Sequence, residues 1–470
     1  GASRMVPTPR TAWPAERVGP APCAYDTPLP VLAPGLVIPG AVEGDGQALH
    51  TDVPQDRWCI DYGDLREFGK LVLQALRQGT FGLADSGDPF DPDDVAIGPG
   101  MSVVSEQFVK PVTRRAGGMS WALMMHPEGL PCDLFITHCW REGVFELVSK
   151  VLHSWPRGAR GAYCCVLSNP QCLDIGSLIG EPRRSPFALA LQASTFLLVI
   201  PNNACSPYSR IWCVYEAFLA YSWDKAIYTA SAPICRPWAH PLGIFLTFGA
   251  GMSLALLALC FVAPESALWV FWVIQLGMVA CYSTILMPSS DCAIALYYLS
   301  SGCAGVGVAF NIFFCAAGGR ALECPLLKLI PASVWILYIV VGNASLAACA
   351  SDWARDRQLY LESIQLRKEF TGSVHDAKSS QPADRERIMA DIAASGSLEQ
   401  VNQAVDVLLR AGMSTPSLRL ATARGGDVRG AARWSLGHVL AVLLVFVVLP
   451  LASCALDNSC GGGGGGGAGG

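Results

Sequence analysis

Charged residues are scarce in this sequence, and the shortage falls mainly in its second half. Of the 470 residues, 15% are charged and 52% are hydrophobic, whereas roughly a quarter of the residues in an average soluble protein are charged. The deficit is greatest after residue 240, where long apolar runs begin. The net charge of −5 offers no basic face of the kind that binds phosphates, so we expect no nucleic-acid partner.

Signals for metal binding and secretion are also missing. The 19 cysteines are scattered, with no CxxC pair and no Cys and His cluster at zinc-finger spacing, so the sequence predicts no metal site. Many cysteines lie inside apolar segments, where a reduced thiol acts as a small hydrophobic side chain. Residues 1–50 contain no apolar core of a signal peptide, and the many prolines of residues 1–56 predict a disordered N-terminal segment.

Long apolar runs dominate the second half. Residues 240–351 contain four of them and residues 435–456 a fifth, each long enough to cross about 30 Å of hydrocarbon. None has a charged residue in its interior, which argues against an ion path lined by charges. Small residues that would let helices pack closely recur in these runs, namely Gly249, Gly251, Gly302, Gly305 and Gly307. The five runs cover residues 241–263, 266–287, 293–317, 331–350 and 436–455.

Basic residues near the ends of the apolar runs predict the orientation of the chain. Arg355 and Arg357 follow the fourth run, and Arg429 and Arg433 precede the fifth. Because cytoplasmic loops are enriched in Lys and Arg, we place the helical segment 352–434 in the cytosol and the first domain on the same side. The glycine-rich tail, residues 457–470, then lies on the opposite side of the membrane.

Residues 131–235 alternate between strand-like and helical patterns. Apolar runs at 133–138, 162–167, 195–200 and 225–229 predict strands, and Ser185-Pro186 begins one of the helices between them. Such alternation is typical of a parallel sheet covered on both faces, so we predict an α/β domain followed by an all-α transmembrane region. Residues 57–130 are predicted to form a helical and irregular lead-in, with a helix at 62–78 and either a strand or a connecting segment at 102–112.

The stretch 207–218 is the strongest candidate for a functional site. It follows the strand at 195–200 and a polar turn, at the edge where open α/β sheets place their ligands. Trp212 and Glu216 are four residues apart and share one face of the predicted helix. Glu216 is then either a catalytic carboxylate or an ordinary surface acid, for which Arg210 is near enough in sequence to form an ion pair.

Three segments together resemble a Toll/interleukin-1 receptor (TIR) domain. They are Asp-Leu-Phe-Ile-Thr-His at 133–138, Phe-Leu-Leu-Val-Ile at 196–200 and Ser-Arg-Ile-Trp-Cys-Val-Tyr-Glu at 209–216. The resemblance covers residues 131–230 and implies a flavodoxin-like parallel sheet. The family's fifth strand has no counterpart before the apolar region begins, so the sheet is either truncated or completed by residues 60–130.

In TIR domains with enzymatic activity, the glutamate of this helix acts in cleaving the nicotinamide–ribose bond of NAD. The resemblance therefore implies Glu216 as the catalytic residue and NAD as a substrate. Loss of nicotinamide leaves an oxocarbenium-like ribose, which a carboxylate stabilises. We expect Trp212 to shape the pocket wall and His138 and Arg141 to approach from the same sheet edge. The resemblance also implies that residues 169–184 mediate assembly.

The combined prediction is a multi-pass membrane protein with a cytosolic TIR-like domain that acts in signalling or protein assembly, with NAD hydrolysis as an additional activity. Its expected partners are the lipid membrane and, through the TIR-like domain, further copies of itself. Two alternatives are a non-catalytic membrane scaffold and a transporter or channel regulated by the TIR-like domain. The absence of charge inside the apolar runs disfavours the transporter.

Overall fold

The computed structural model of the protein describes residues 38–81, 90–173, 175–261, 293–316, 332–379, 381–396 and 398–428. The chain divides into two compact units, Gly1–Trp223 with Ala377–Ile392, and Asp224–Asp376 with Ala393–Gly470. The first unit therefore includes both the predicted lead-in and a short segment from beyond the apolar region.

The N-terminal part of the first unit is helical. Its helices are α1 (Gly46–Asp52), α2 (Tyr62–Arg77), α3 (Met101–Val104), α4 (Lys110–Arg115) and α5 (Trp121–Met125), with a 3-10 turn at Gln55–Arg57. Helix α2 confirms the helix predicted at 62–78, and its first turn is closed by a capping box between Asp61 and Asp64. Helix α1 lies in the segment predicted to be disordered. Residues 1–37 of that segment lie outside the described residues.

The segment 102–112 is helical, so the alternative of a strand is wrong. A π-helical turn, Ser105–Val109, joins α3 to α4. Val104 and Phe108 are buried one helical turn apart, and the hydroxyl of Thr113 donates to the carbonyl of Val109 at 2.9 Å. Apolar residues four apart lie on one face of a helix, which is the period that this segment follows.

Three parallel strands form the sheet of the first unit. The strands are β1 (Leu134–Thr137), β2 (Ala162–Cys164) and β3 (Phe196–Val199), and the helices between and after them are α6 (Val144–Ser154), α7 (Cys165–Ser168), α8 (Ile175–Leu178), α9 (Pro186–Ala193) and α10 (Ile211–Ser222). Strand β1 is central and pairs in parallel with β2 and with β3. This confirms the α/β class. All four residues of β1 are buried.

Residues from the predicted lead-in extend this sheet beyond β2. The backbone of Ile60 forms an antiparallel bridge with Ala162, through hydrogen bonds of 3.0 and 2.8 Å in the two directions. This bridge lies at the β2 edge and supplies no strand after 225–229, so it does not decide between a truncated sheet and completion by residues 60–130. Residues 57–130 belong to the same compact unit as the sheet.

Strand β2 ends three residues earlier than the apolar run at 162–167 predicts. The hydroxyl of Ser168 accepts a hydrogen bond from the backbone N–H of Cys164 at 3.0 Å, and the N–H of Asn169 donates to the carbonyl of Cys165. These bonds close a single helical turn, α7, immediately after the strand. The segment that follows contains α8 and a 3-10 turn at Pro182–Arg184.

The apolar part of the second unit consists of long helices. After the short strand β4 (Ala226–Thr229), the described helices are α11 (Ala239–Leu259), α12 (Ala293–Ala316) and α13 (Ala332–Arg367). Two helices, Ala239–Leu259 and Ala293–Phe310, are long and apolar enough to cross a membrane, in agreement with membrane association. The fourth predicted run, 331–350, lies largely in α13, which continues unbroken to Arg367. The predicted runs at 266–287 and 436–455 lie outside the described residues.

Close packing of α11 on α12 depends on glycine. A Cβ added to Gly251 would lie 2.2 Å from the carbonyl oxygen of Gly302, and one added to Gly305 would lie 2.0 Å from that of Phe248. The predicted role of small residues is thus confirmed for Gly251 and Gly305. Gly249 differs, because a Cβ there meets no atom within 4 Å.

The polar segment after α13 is helical, as predicted. It contains α14 (Pro382–Ala394), α15 (Leu398–Ala411), the two-residue strand β5 (Met413–Ser414) and α16 (Pro416–Ala423). Gly412 ends α15 with a φ of +73°, and its N–H donates to the carbonyl of Leu408 at 2.8 Å. After this turn, β5 pairs antiparallel with β4. The strand predicted at 225–229 is confirmed as β4, and its antiparallel partner β5 is an element that the sequence did not predict.

We expect Gly305→Ala to lower the melting temperature of the full-length protein in detergent micelles. The added methyl group would force α11 and α12 apart, and overpacking of this kind costs roughly 1–3 kcal/mol. Gly249→Ala is the matched control, because its methyl group meets open space and alanine is the better helix former. Equal melting temperatures for the two variants would contradict the close packing of α11 on α12.

Candidate functional site

The carboxyl ends of β1 and β2 bring together five polar side chains. They are Thr137, His138, Glu142, Cys165 and Glu216. Thr137 is the last residue of β1, and His138 and Glu142 follow in the turn before α6. Cys165 follows β2, and Glu216 approaches from α10. This edge is where open α/β sheets place their ligand sites.

Glu216 is buried, so its interpretation as an ordinary surface acid is wrong. Its residue exposure is 6%, and its Oε2 accepts a hydrogen bond from the hydroxyl of Thr137 at 2.8 Å. Burial raises the pKa of Glu216 to about 8, although the Thr137 bond and the nearby His138 oppose the shift. The carboxyl group is therefore mostly protonated at neutral pH.

His138 lies between a thiol and a carboxyl group. Its Nε2 is 3.0 Å from Sγ of Cys165, and its Nδ1 is 2.8 Å from Oε1 of Glu142. Burial alone would lower the pKa of His138, but the adjacent thiols and Glu142 outweigh that effect and hold this pKa well above its usual range. Burial raises the pKa of Glu142 to about 7 against the opposing influence of His138.

The two other predicted site residues are Trp212 and Arg141. The indole of Trp212 stacks on Phe187 with ring centroids 5.3 Å apart, and its Nε1 donates to Oδ2 of Asp384 in α14 at 3.2 Å. Arg141 is exposed in the turn after β1. The structure thus brings Glu216 and His138 to one site, while the ring of Trp212 contacts α9 and α14.

Helix α14 binds the face of α10 that carries Trp212. Besides accepting from Trp212 through Asp384, it accepts from the hydroxyl of Tyr215 through Asp391 at 2.7 Å. Nε of Arg183, at the end of the loop 169–184, donates to the other oxygen of Asp391 at 2.9 Å. The chain just before α14 joins α10 by main-chain bonds, since Lys378 exchanges N–H···O bonds with Ser209 and Ile211 at 2.8 and 2.9 Å.

One group of side chains in the described part of the chain has the composition of a metal site. Ligand atoms of Asp61, Asp64 and His126 lie within 4.8 Å of one another. Asp61 and Asp64 form the capping box of α2, and Nε2 of His126 lies 2.7 Å from Oδ2 of Asp64. Asp61 and Asp64 cap the first turn of α2 and His126 contacts Asp64, so we assign the group this structural role.

Cys165, Glu142 and the α14 residues are functional candidates that sequence reasoning missed. Cys165 was hidden because the apolar run at 162–167 placed it inside a strand. The four-residue spacing of His138 and Glu142 was a usable signal, since such residues meet when the chain turns helically. For α14, the signal was the seven-residue spacing of Asp384 and Asp391, which puts both acids on one helical face.

No known protein family, no curated protein and no solved structure matches this chain. The resemblance to a TIR domain therefore stays a prediction from the three segments quoted above. The function has to be argued from the geometry of the site itself.

We expect Glu216→Gln to remove a pH dependence of stability. The wild-type carboxyl has a folded pKa of about 8, above its ordinary value of 4.5, so the native state loses stability as the pH rises through this window. The amide keeps an acceptor for Thr137 and has no proton to lose. The free energy of unfolding of the variant should match that of the wild type near about pH 5 and exceed it by on the order of a few kcal/mol near about pH 9. Melting temperatures across this range test it, and a constant difference would contradict the assignment.

Proposed function

We propose that this chain is a multi-pass membrane protein whose cytosolic TIR-like α/β unit acts in signalling through protein assembly. Two described helices long and apolar enough to cross a membrane support membrane association. Basic residues beside the apolar runs support a cytosolic α/β unit. The docked helix α14 supports an assembly role, and it carries the proposal.

The α10 face already binds a helix in the way that a protein interface does. The contact combines an indole, a phenol and a guanidinium, from Trp212, Tyr215 and Arg183, with two acids of α14. Aromatic and arginine side chains are enriched in protein interfaces. Ile388 and Ile392 add a buried apolar side to α14. The α10 face is therefore suited to a helical partner, and α14 occupies it within the chain.

The ion pair between Arg183 and Asp391 is the exposed part of this contact and is suited to opening. The side chain of Arg183 is 53% exposed, and exposed ion pairs contribute little to stability. In the sequence α14 follows α13, which contains the fourth apolar run. The helix that occupies the α10 face is thus joined covalently to the apolar region. Release of α14 would free the face, together with the loop 169–184, for another copy of the chain.

We expect the double substitution Asp384→Ala and Asp391→Ala to increase self-association of the full-length protein. It removes the acceptors for Trp212, Tyr215 and Arg183 and so weakens the hold on α14. Co-capture of two differently tagged copies in lipid nanodiscs measures the effect, and limited proteolysis of residues 377–392 reports release of the helix. Glu386→Ala is the control, because Glu386 is exposed on the same helix. Release of α14 without a rise in co-capture would contradict the proposal.

NAD hydrolysis at Glu216 is a second candidate function. The observation in its favour is a buried carboxyl group with a strongly raised pKa at the ligand-binding edge of the sheet. Stabilising a ribosyl cation requires the carboxylate form. The proton on Glu216 at neutral pH therefore limits the activity, which should grow as the pH rises through about 8.

For this second candidate we expect full-length protein in nanodiscs to release nicotinamide from NAD faster at about pH 9 than at about pH 7, following ionisation of the carboxyl. Glu216→Gln should abolish release at both values while leaving self-association unchanged. Glu386→Ala again serves as the control. Equal release by wild type and Glu216→Gln would remove Glu216 from the reaction, and the assembly function would stand unaffected.

A further inference from the structure

Cys165, His138 and Glu142 have the mutual geometry of a thiol nucleophile, its base and an orienting carboxylate. The contacts run in series, with 3.0 Å from Sγ to Nε2 and 2.8 Å from Nδ1 to Oε1. Nucleophilic cysteines and serines are activated by this order of groups on many unrelated folds. The three residues come from two separate chain segments, which the pairing of β1 with β2 brings together.

The burial of the three residues also follows the order that such a site needs. Cys165 is partly exposed to solvent, whereas the side chains of His138 and Glu142 are 1% and 0% exposed. The residue that carries the thiol is thus the most exposed of the three, with the base and the carboxylate behind it. Oε1 of Glu142 lies 2.8 Å from Nδ1 of His138, so this carboxyl group can hold the imidazole with Nε2 toward the thiol.

We propose that Cys165 is a nucleophile that accepts an acyl group from a thioester, with His138 as its base and Glu142 as a positioning residue. The proton of Sγ passes to Nε2 as Sγ attacks the carbonyl carbon of the donor. A new S–C bond forms, the S–C bond of the donor breaks, and the departing thiolate takes the proton from Nε2. The products are a thioester on Cys165 and a free thiol. A thioester suits this site because its leaving group is itself a thiol, so one base serves both proton transfers.

The titratable groups around Cys165 and His138 determine how the reactivity of the thiol varies with pH. Glu216 and Cys213 face it from α10, and Tyr163 and Cys164 face it from β2. Behind Glu142 lie Glu146 and Lys150 of α6. Burial raises the pKa of the Cys165 thiol while His138 opposes that shift, so the thiol keeps its proton until Nε2 takes it during the attack. Its reactivity should therefore follow loss of a proton from the His138–Glu142 pair and level off above neutral pH.

Alkylation of the full-length protein by iodoacetamide, followed by mass spectrometry of the modified peptides, tests the nucleophile. Cys235, an exposed thiol, is the internal control. An ordinary thiol gains reactivity about tenfold per pH unit below its pKa. Between about pH 7 and pH 8.5 we expect the rate at Cys165 to change less than about threefold while that at Cys235 rises about tenfold or more. Parallel profiles for the two thiols, or modification of Cys235 alone, would overturn the proposal.

Two variants and an acyl donor separate assisted chemistry from simple exposure. His138→Asn should restore an ordinary rising profile at Cys165, and Glu142→Gln should lower its rate by about tenfold or more without changing Cys235. The wild-type profile is decisive by itself if either variant fails to fold. Transfer of acetyl from S-acetyl-N-acetylcysteamine to Cys165, and its loss in His138→Asn, supports the acyl assignment. A level iodoacetamide profile without acetyl transfer would overturn that assignment.

Discussion

The pairing of β1 on both of its edges is the constraint on which the first unit depends. Leu134 is in register with Ala162 on one side and with Phe196 on the other. All four residues of β1 are buried, and so is His138 directly after it. The polar atoms of Thr137 and His138 therefore need partners from other elements. The partners are Glu216, Cys165 and Glu142. The site therefore supplies the polar contacts that the buried end of the central strand requires.

Burial of several titratable groups in one place makes their protonation interdependent. Glu142 and Glu216 have pKa values of about 7 and about 8, and both approach the imidazole of His138. A proton gained or lost by one of them changes the electrostatic environment of the others. Small changes of pH around neutrality therefore alter the charge of the whole cluster. Burial thus brings the pKa values of both carboxyl groups close to neutral pH, where each can gain or lose a proton.

Local signals account for the parts of the fold that the sequence predicts well. Ser185 accepts a hydrogen bond from Ala188 at the start of α9 and is followed by Pro186, as its sequence position indicates. The strands predicted at 133–138, 195–200 and 225–229 each have an apolar centre, and each is found within one residue of its predicted ends. The helix at 62–78 follows its 3.6-residue period. These features depend on neighbours within one turn or one strand.

The parts that the sequence does not predict depend on contacts between distant residues or on competition between similar patterns. Strand β2 ends where the hydroxyl of Ser168 accepts a hydrogen bond from the N–H of Cys164. The apolar pattern alone does not indicate this hydrogen bond. Trp212 and Asp384 are 172 residues apart, and Tyr215 and Asp391 are 176 apart. No local pattern in α10 indicates that this helix receives a partner from beyond the apolar region. The burial of Glu216 is similarly a property of the assembled sheet.

Helix α13 has a mechanical consequence. Its 36 residues form one rod about 54 Å long, at roughly 1.5 Å per residue, and the rod has no break where the apolar run gives way to charged residues. A continuous helix resists bending and twisting, so it transmits a rotation or tilt of its apolar end to Arg367. The next few residues of the chain lead into the segment that is hydrogen-bonded to Ser209 and Ile211. The covalent path from the apolar region to the α10 face is therefore a long unbroken helix followed by about ten connecting residues.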